Sequence, residues 1–93
     1  MNDYERLRRQ AKRHEQQYPP GTRLVLIHMN DPYAPVPAGT KGTVICVDPM
    51  DQVLMKWDNG RTLSLIPDED SFRRLTPEEQ MEDQAEQREQ EMI

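Results

Sequence analysis

Asn59-Gly60 constrains this chain most, because it sits between two alternating runs and both residues tolerate the positive φ of a tight hairpin. Ahead of it, 53–57 alternates Val53, Met55 and Trp57 against Leu54 and Lys56. Behind it, 61–66 alternates Leu63 and Leu65 against Thr62 and Ser64. The combination predicts two antiparallel strands joined by a type I′ turn. Two more runs precede them. In 22–29, Leu24 and Leu26 take one face and Val25 and Ile27 the other; in 43–48, the alternation sets Val44 and Cys46 towards the core. Pro49-Met50-Asp51 makes a tight link between the second and third runs, whereas 30–41 is long and carries Pro32, Pro35, Pro37 and Gly39. A loop of that length in so small a domain is usually functional or packed on itself. After Ile66, residues 67–72 read as a short helical turn that returns Phe72 to the strands.

The flanks have a different character. Residues 2–17 lack Gly and Pro, offer Asn2 or Asp3 as an N-cap, and place Tyr4, Leu7 and Ala11 on a narrow stripe, which predicts a helix ended by Pro19 and Pro20. Thr76-Pro77-Glu78-Glu79 supplies an N-cap, a proline at N1 and a glutamate at N3, a helix start, although the acidic stretch beyond it is marginal as a helix by itself. The expected organisation is a charged helical arm (1–17), a β domain (18–74) and an acidic arm, helical or disordered (75–93). Charge follows the same division. Residues 1–18 hold five basic groups against three acids, 19–75 six against seven, and 76–93 Arg88 against seven acids, within a net charge of −5. One arrangement this suggests is the two arms lying together, Arg6, Arg9 and Arg13 against Glu82, Glu86 and Glu89, within one chain or in an arm-mediated dimer.

With 93 residues, 34% of them apolar, the chain has room for one small core. It has no apolar run long enough to span a bilayer and no apolar leader in its first ten residues, so a cytoplasmic location away from membranes is expected. One thiol and two distant histidines cannot make a four-ligand zinc site, and neither metal nor cofactor is expected.

From Tyr18-Pro19-Pro20-Gly21-Thr22-Arg23, through Asp31-Pro32-Tyr33-Ala34-Pro35 and Gly39-Thr40-Lys41-Gly42-Thr43-Val44, to Trp57-Asp58-Asn59-Gly60-Arg61 and Asp70-Ser71-Phe72, the sequence resembles the family called domain of unknown function 4314. The resemblance covers about residues 18–74. It implies a small SH3-like β-barrel of four to five short antiparallel strands, of a kind carried by bacterial, phage and other mobile-element genomes, with no assigned activity. Cys46 stands where such sequences tend to have glycine, which implies a different bulge there.

No residue pattern asks for catalysis. Cys46 lies mid-strand and reads as a buried, inert apolar residue, and His28 at a strand end has no marked partner. Asp68, Glu69 and Asp70 lack the spacing of a calcium loop and read as acids at a helix start. A binding module is the better expectation, with Tyr33 as the first contact candidate and its alternative role a lid on the barrel. Asp31 reads as an Asx-turn residue as well as a contact. Trp57 shares the face of Val53 and Met55, which favours the core, and stays a second candidate; Arg61 is solvated, paired with Asp58, or free for an acidic partner. The expected partner is another protein. The alternative is a nucleic acid or nucleotide, held by Arg6, Arg8, Arg9, Lys12 and Arg13, in an accessory or host-defence-countering role. The lack of a basic stripe on the middle segment counts against it.

Overall fold

The computed structural model describes residues 3–91, with side-chain surroundings through residue 86. Helix α1 (Asp3–Gln17) leads into four strands, β1 (Arg23–His28), β2 (Lys41–Val47), β3 (Val53–Trp57) and β4 (Ser71–Arg74), and α2 (Pro77–Glu91) follows. The strands form one open antiparallel sheet in the order β3-β2-β1-β4. This is a small β fold with a helix at each end, and β3 and β4 are the two edges of the sheet.

The period-2 pattern builds the core. Leu24 and Leu26 of β1, Val44 of β2, and Val53, Met55 and Trp57 of β3 all point to one face, where Met29, Val36 and Leu65 join them from the loops. Gly42 belongs to this layer too. Its Cα lies opposite Trp57, and a Cβ there would sit 2.6 Å from Trp57 Cε3, so only glycine lets the indole lie flat on β2.

Four expectations need correction. The first is the fourth strand. Backbone-to-backbone bonds join residues 61–66 to β3 only near their ends, by Trp57 N–H to the Arg61 carbonyl (2.8 Å) and by the Val53–Leu65 pair. Between them the Leu63 carbonyl accepts from the Trp57 indole at 2.7 Å, which takes it out of the ladder. The fourth strand of the sheet is instead β4, which begins where the expected helical turn returns Phe72 to β1. The Asp70 carboxylate accepts from the backbone N–H of Ile66 (2.7 Å) and of Asn30 (2.8 Å), closing a turn over 66–70 and delivering Ser71 to β1. Asp68 and Glu69 sit in that turn, not at a helix start.

The second correction concerns the hairpin turn. Gly60 has φ of 89°, but Asn59 is not among the residues with positive φ, so the pair does not form a type I′ turn. Gly60 N–H donates to the Trp57 carbonyl and Asn59 Oδ1 accepts from Arg61 N–H, giving a three-residue loop with glycine in the left-handed position. The preceding link is as tight as expected. Asp48 Oδ1 accepts from Met50 and Gln52 N–H, and Asp51 takes φ of 62°, a conformation aspartate tolerates better than most residues.

Third, Cys46 is only half-buried. Val44 pairs with Met55 but Cys46 with Leu54, so β2 carries an extra residue, and the bulge breaks the alternation that pointed Cys46 inward. Ile45, between them, is exposed. Finally, within the chain no ion pair among the described residues joins α1 to α2, and Glu89 of the expected pairing lies outside the described side chains.

Each helix is instead held to the β module. Ala11 of α1 is buried, His14 Nδ1 makes a 2.7 Å hydrogen bond with Oδ1 of Asp51, and Tyr18 just beyond the helix packs edge-on against Phe72 with ring centroids 5.5 Å apart. Helix α2 begins at the expected capping box. Glu79 Oε1 accepts from Thr76 N–H at 2.8 Å, and Thr76 Oγ1 accepts from Glu79 N–H at 3.2 Å. Two arginines then fasten it: Arg73 donates to Glu79, and Arg23 to Asp83.

Candidate protein-interaction site

The long loop after β1 is ordered by its own sequence. Asp31 Oδ1 accepts from Tyr33 N–H at 2.8 Å and Ala34 N–H at 3.3 Å, the Asx turn its position suggested. Val36 drops into the core, with its N–H 3.4 Å from the Met29 sulfur. Past Val36, Thr40 folds back on the Pro37 carbonyl, and Gly39 at φ of 88° donates to the Leu26 carbonyl at 2.7 Å. The loop is thereby tied down at its start, its middle and its end.

Arg61 completes the arrangement in a way the sequence did not indicate. Its guanidinium donates to the carbonyls of Pro35, at 3.0 Å, and Ala34, so it clasps the loop from the far side of the hairpin. Asp58, one of the partners left open for Arg61, goes to Arg23 instead, through two hydrogen bonds of 2.7 and 2.6 Å. Arg23 lies 35 residues from Asp58 in the chain, and only the β1–β2–β3 register brings them together.

Tyr33 stands on this braced loop with 93% of its surface exposed, so it is not a lid on the core. An aromatic held out on a loop ordered in this way would need little further ordering to make a contact. Trp57 behaves in the opposite way. At 1% exposure it is a core residue and is removed from the contact candidates, because its face of β3 packs inward and its N–H is satisfied by Leu63.

The basic residues of α1 are exposed. Arg8, Arg9 and Lys12 line an open groove of about 330 Å³ with Glu5, Arg8 also lies over the Tyr4 ring at 5.7 Å, and Arg6 is 3.7 Å from Asp3. Arg13 is on a separate cleft, of about 560 Å³, with Gln10, His14 and Asp68. Arg13 therefore stands apart from the groove that Arg8, Arg9 and Lys12 line. Among the described residues no group of three or more His, Cys, Asp or Glu is placed to hold a metal ion, and no described helix is long and apolar enough to cross a membrane.

The fold and this loop define a small β-sheet module that displays one aromatic on a clasped loop. The chain belongs to the family described as Domain of unknown function (DUF4314), whose model matches residues 7–75. The match takes in most of α1 as well as all four strands. No curated protein and no solved structure matches the chain.

Proposed function

We propose that this protein is a non-enzymatic binding module that engages another protein through the loop centred on Tyr33. The observation that carries the reading is a tyrosine 93% exposed on a loop fastened by Asp31, Val36 and Arg61. Asp31 and Arg61 support the site by shaping the loop. The module is read as SH3-like, which the four antiparallel strands and the 61–66 segment folded back on β3 support. Its family resemblance supports a role in phage or other mobile-element biology, and its lone free thiol suits the reducing cytoplasm.

The test is affinity capture from the native host with the full chain and its Tyr33→Ala variant. The variant should melt as the parent does, since the ring touches little of the fold, and should lose the captured protein. Retention of the same protein by both would overturn the reading. A second reading is nucleic-acid binding by α1, favoured by the groove that Arg8, Arg9 and Lys12 line. It predicts an affinity that falls steeply with ionic strength and is unaffected by Tyr33→Ala.

A further inference from the structure

The sheet has a second face, and the strand register fills it with cations. Arg23 lies opposite Thr43, and Thr43 opposite Lys56; Val25 lies opposite Lys41 on one side and Arg73 on the other. Residues paired across an antiparallel sheet share a face, as do residues two apart on a strand. Arg73, Arg23, Lys41 and Lys56 therefore stand together on the face away from the core, one from each strand. These are four of the six basic residues in 19–75, whereas of the seven acids there only Asp58 has a hydrogen bond to a residue of this face. The middle segment is nearly neutral in sequence and strongly polarised in space.

Helix α2 is tethered to this face by ion pairs. Glu79, Asp83 and Glu86 recur at i, i+4 and i+7, one stripe of the helix. Glu79 pairs with Arg73 of β4 at 2.7 Å, Asp83 with Arg23 of β1 at 2.7 and 2.9 Å, and Glu86 lines the same cleft as Lys56 of β3. The acidic stripe runs across the strands along the cationic row. The helix contributes little apolar contact: Met81 is exposed, and the buried residue of its first turns is Asp83 itself.

We infer that this basic sheet face is a binding site for the phosphate backbone of a nucleic acid, and that α2 occupies it as a built-in competitor. Arginine forks that donate to both oxygens of a carboxylate donate to phosphate oxygens in the same way. Four cations from four strands form the stripe expected of a folded nucleic-acid binder. With no exposed aromatic among the residues that line it, the face reads backbone charge and not base identity. This face is separate from the Tyr33 loop, so either proposal can fail without the other.

The experiment compares the full chain with a full-length triple variant, Glu79→Gln, Asp83→Asn and Glu86→Gln. A control carries Glu69→Gln, Glu78→Gln and Glu82→Gln, which removes the same charge without touching the latch. The probe is a fluorescein-labelled thymidine oligonucleotide of about 20 nucleotides, followed by anisotropy, long enough to span one such site. The latch variant should bind at least about tenfold more tightly than the parent and the control, and its affinity should fall roughly 20-fold between about 50 and 150 mM salt if about four phosphates are neutralised. Adding Lys41→Ala and Lys56→Ala should reverse the gain. Equal tightening in the control, or no reversal, would overturn the inference. So would tight binding of a labelled peptide of residues 76–93 without binding of the oligonucleotide, which would make the face a receptor for acidic helices. Should the triple variant unfold, Glu86→Gln and Lys56→Glu singly must shift the affinity in opposite directions, or the proposal fails.

Discussion

Arg23 and Asp83, 60 residues apart in the chain, share two hydrogen bonds of 2.9 and 2.7 Å, and the same guanidinium also holds Asp58. One arginine thus joins β1, the hairpin tip and α2. Both members of the pair are largely removed from water, with side chains 17% and 9% exposed. Asp83→Ala should cost about 1–2 kcal/mol, below the 3–5 typical of a broken buried pair, because Arg23 keeps Asp58. Chemical denaturation measures that cost. Far-UV circular dichroism should show helix lost from α2 before the sheet melts, and a parent-like helix signal would refute the latch.

Acid should release the same helix. The Arg73 guanidinium, together with the Thr76 N–H, holds the Glu79 carboxyl down at about 2, from an ordinary 4.5. The Arg23 guanidinium holds the Asp83 carboxyl low as well. A carboxyl with a depressed folded-state pKa contributes its stability above the unfolded value and loses it on protonation. Helix content and melting temperature should therefore hold steady down to about pH 4.5 and fall between there and about pH 2. The Glu79→Gln variant should show a weaker dependence in that window; an identical acid profile would rule out this origin.

Two glycines fail for different reasons. Gly42→Ala would drive a Cβ to 2.6 Å from Trp57 Cε3 and 3.0 Å from Met55 Cε, and the indole cannot retreat without breaking its bond to Leu63. The expected cost is about 1–3 kcal/mol by overpacking. Gly60 has open space around it, so Gly60→Val is penalised by φ alone, at about 1–2 kcal/mol. Thermal melts of the two variants check both values, and an unchanged midpoint at Gly42 would mean that the Trp57 packing is wrong.

Removing residues 1–16 should leave the sheet folded but weaker. Asp51 is 3% exposed, and its Oδ1 loses its His14 partner when α1 is deleted, while Oδ2 already has none. The deletion should cost about 1–3 kcal/mol, from the lost His14–Asp51 bond and the lost packing of Ala11. A dispersed amide spectrum with a lowered denaturation midpoint is the expected result. His14→Ala in the full chain should reproduce most of the loss, and unchanged stability in both would show that α1 is merely appended.

Much of the candidate site was legible because its determinants are short-range. Asp31, two residues before Tyr33, announces the Asx turn, and the proline content of the loop announces that it is not a strand. The clasp by Arg61 was not legible. Nothing local distinguishes a solvated arginine after a hairpin from one that reaches the carbonyls of a loop 26 residues away.

By itself the sequence determined the elements whose signals lie within a few residues: α1 ending before Pro19 and Pro20, β3 from its alternation, and the start of α2 from the reciprocal bonds of Thr76 and Glu79. These follow from side-chain period and from caps that satisfy backbone groups nearby. Tertiary structure decided what depends on which distant segment supplies a partner. It made 71–74 the fourth strand because β1 had an open edge and Asp70 turned the chain towards it, while the Trp57 indole drew the Leu63 carbonyl out of a ladder that the pattern allowed. It also sorted a near-neutral segment into a cationic face, since charge along a chain does not reveal which residues a sheet register will bring side by side.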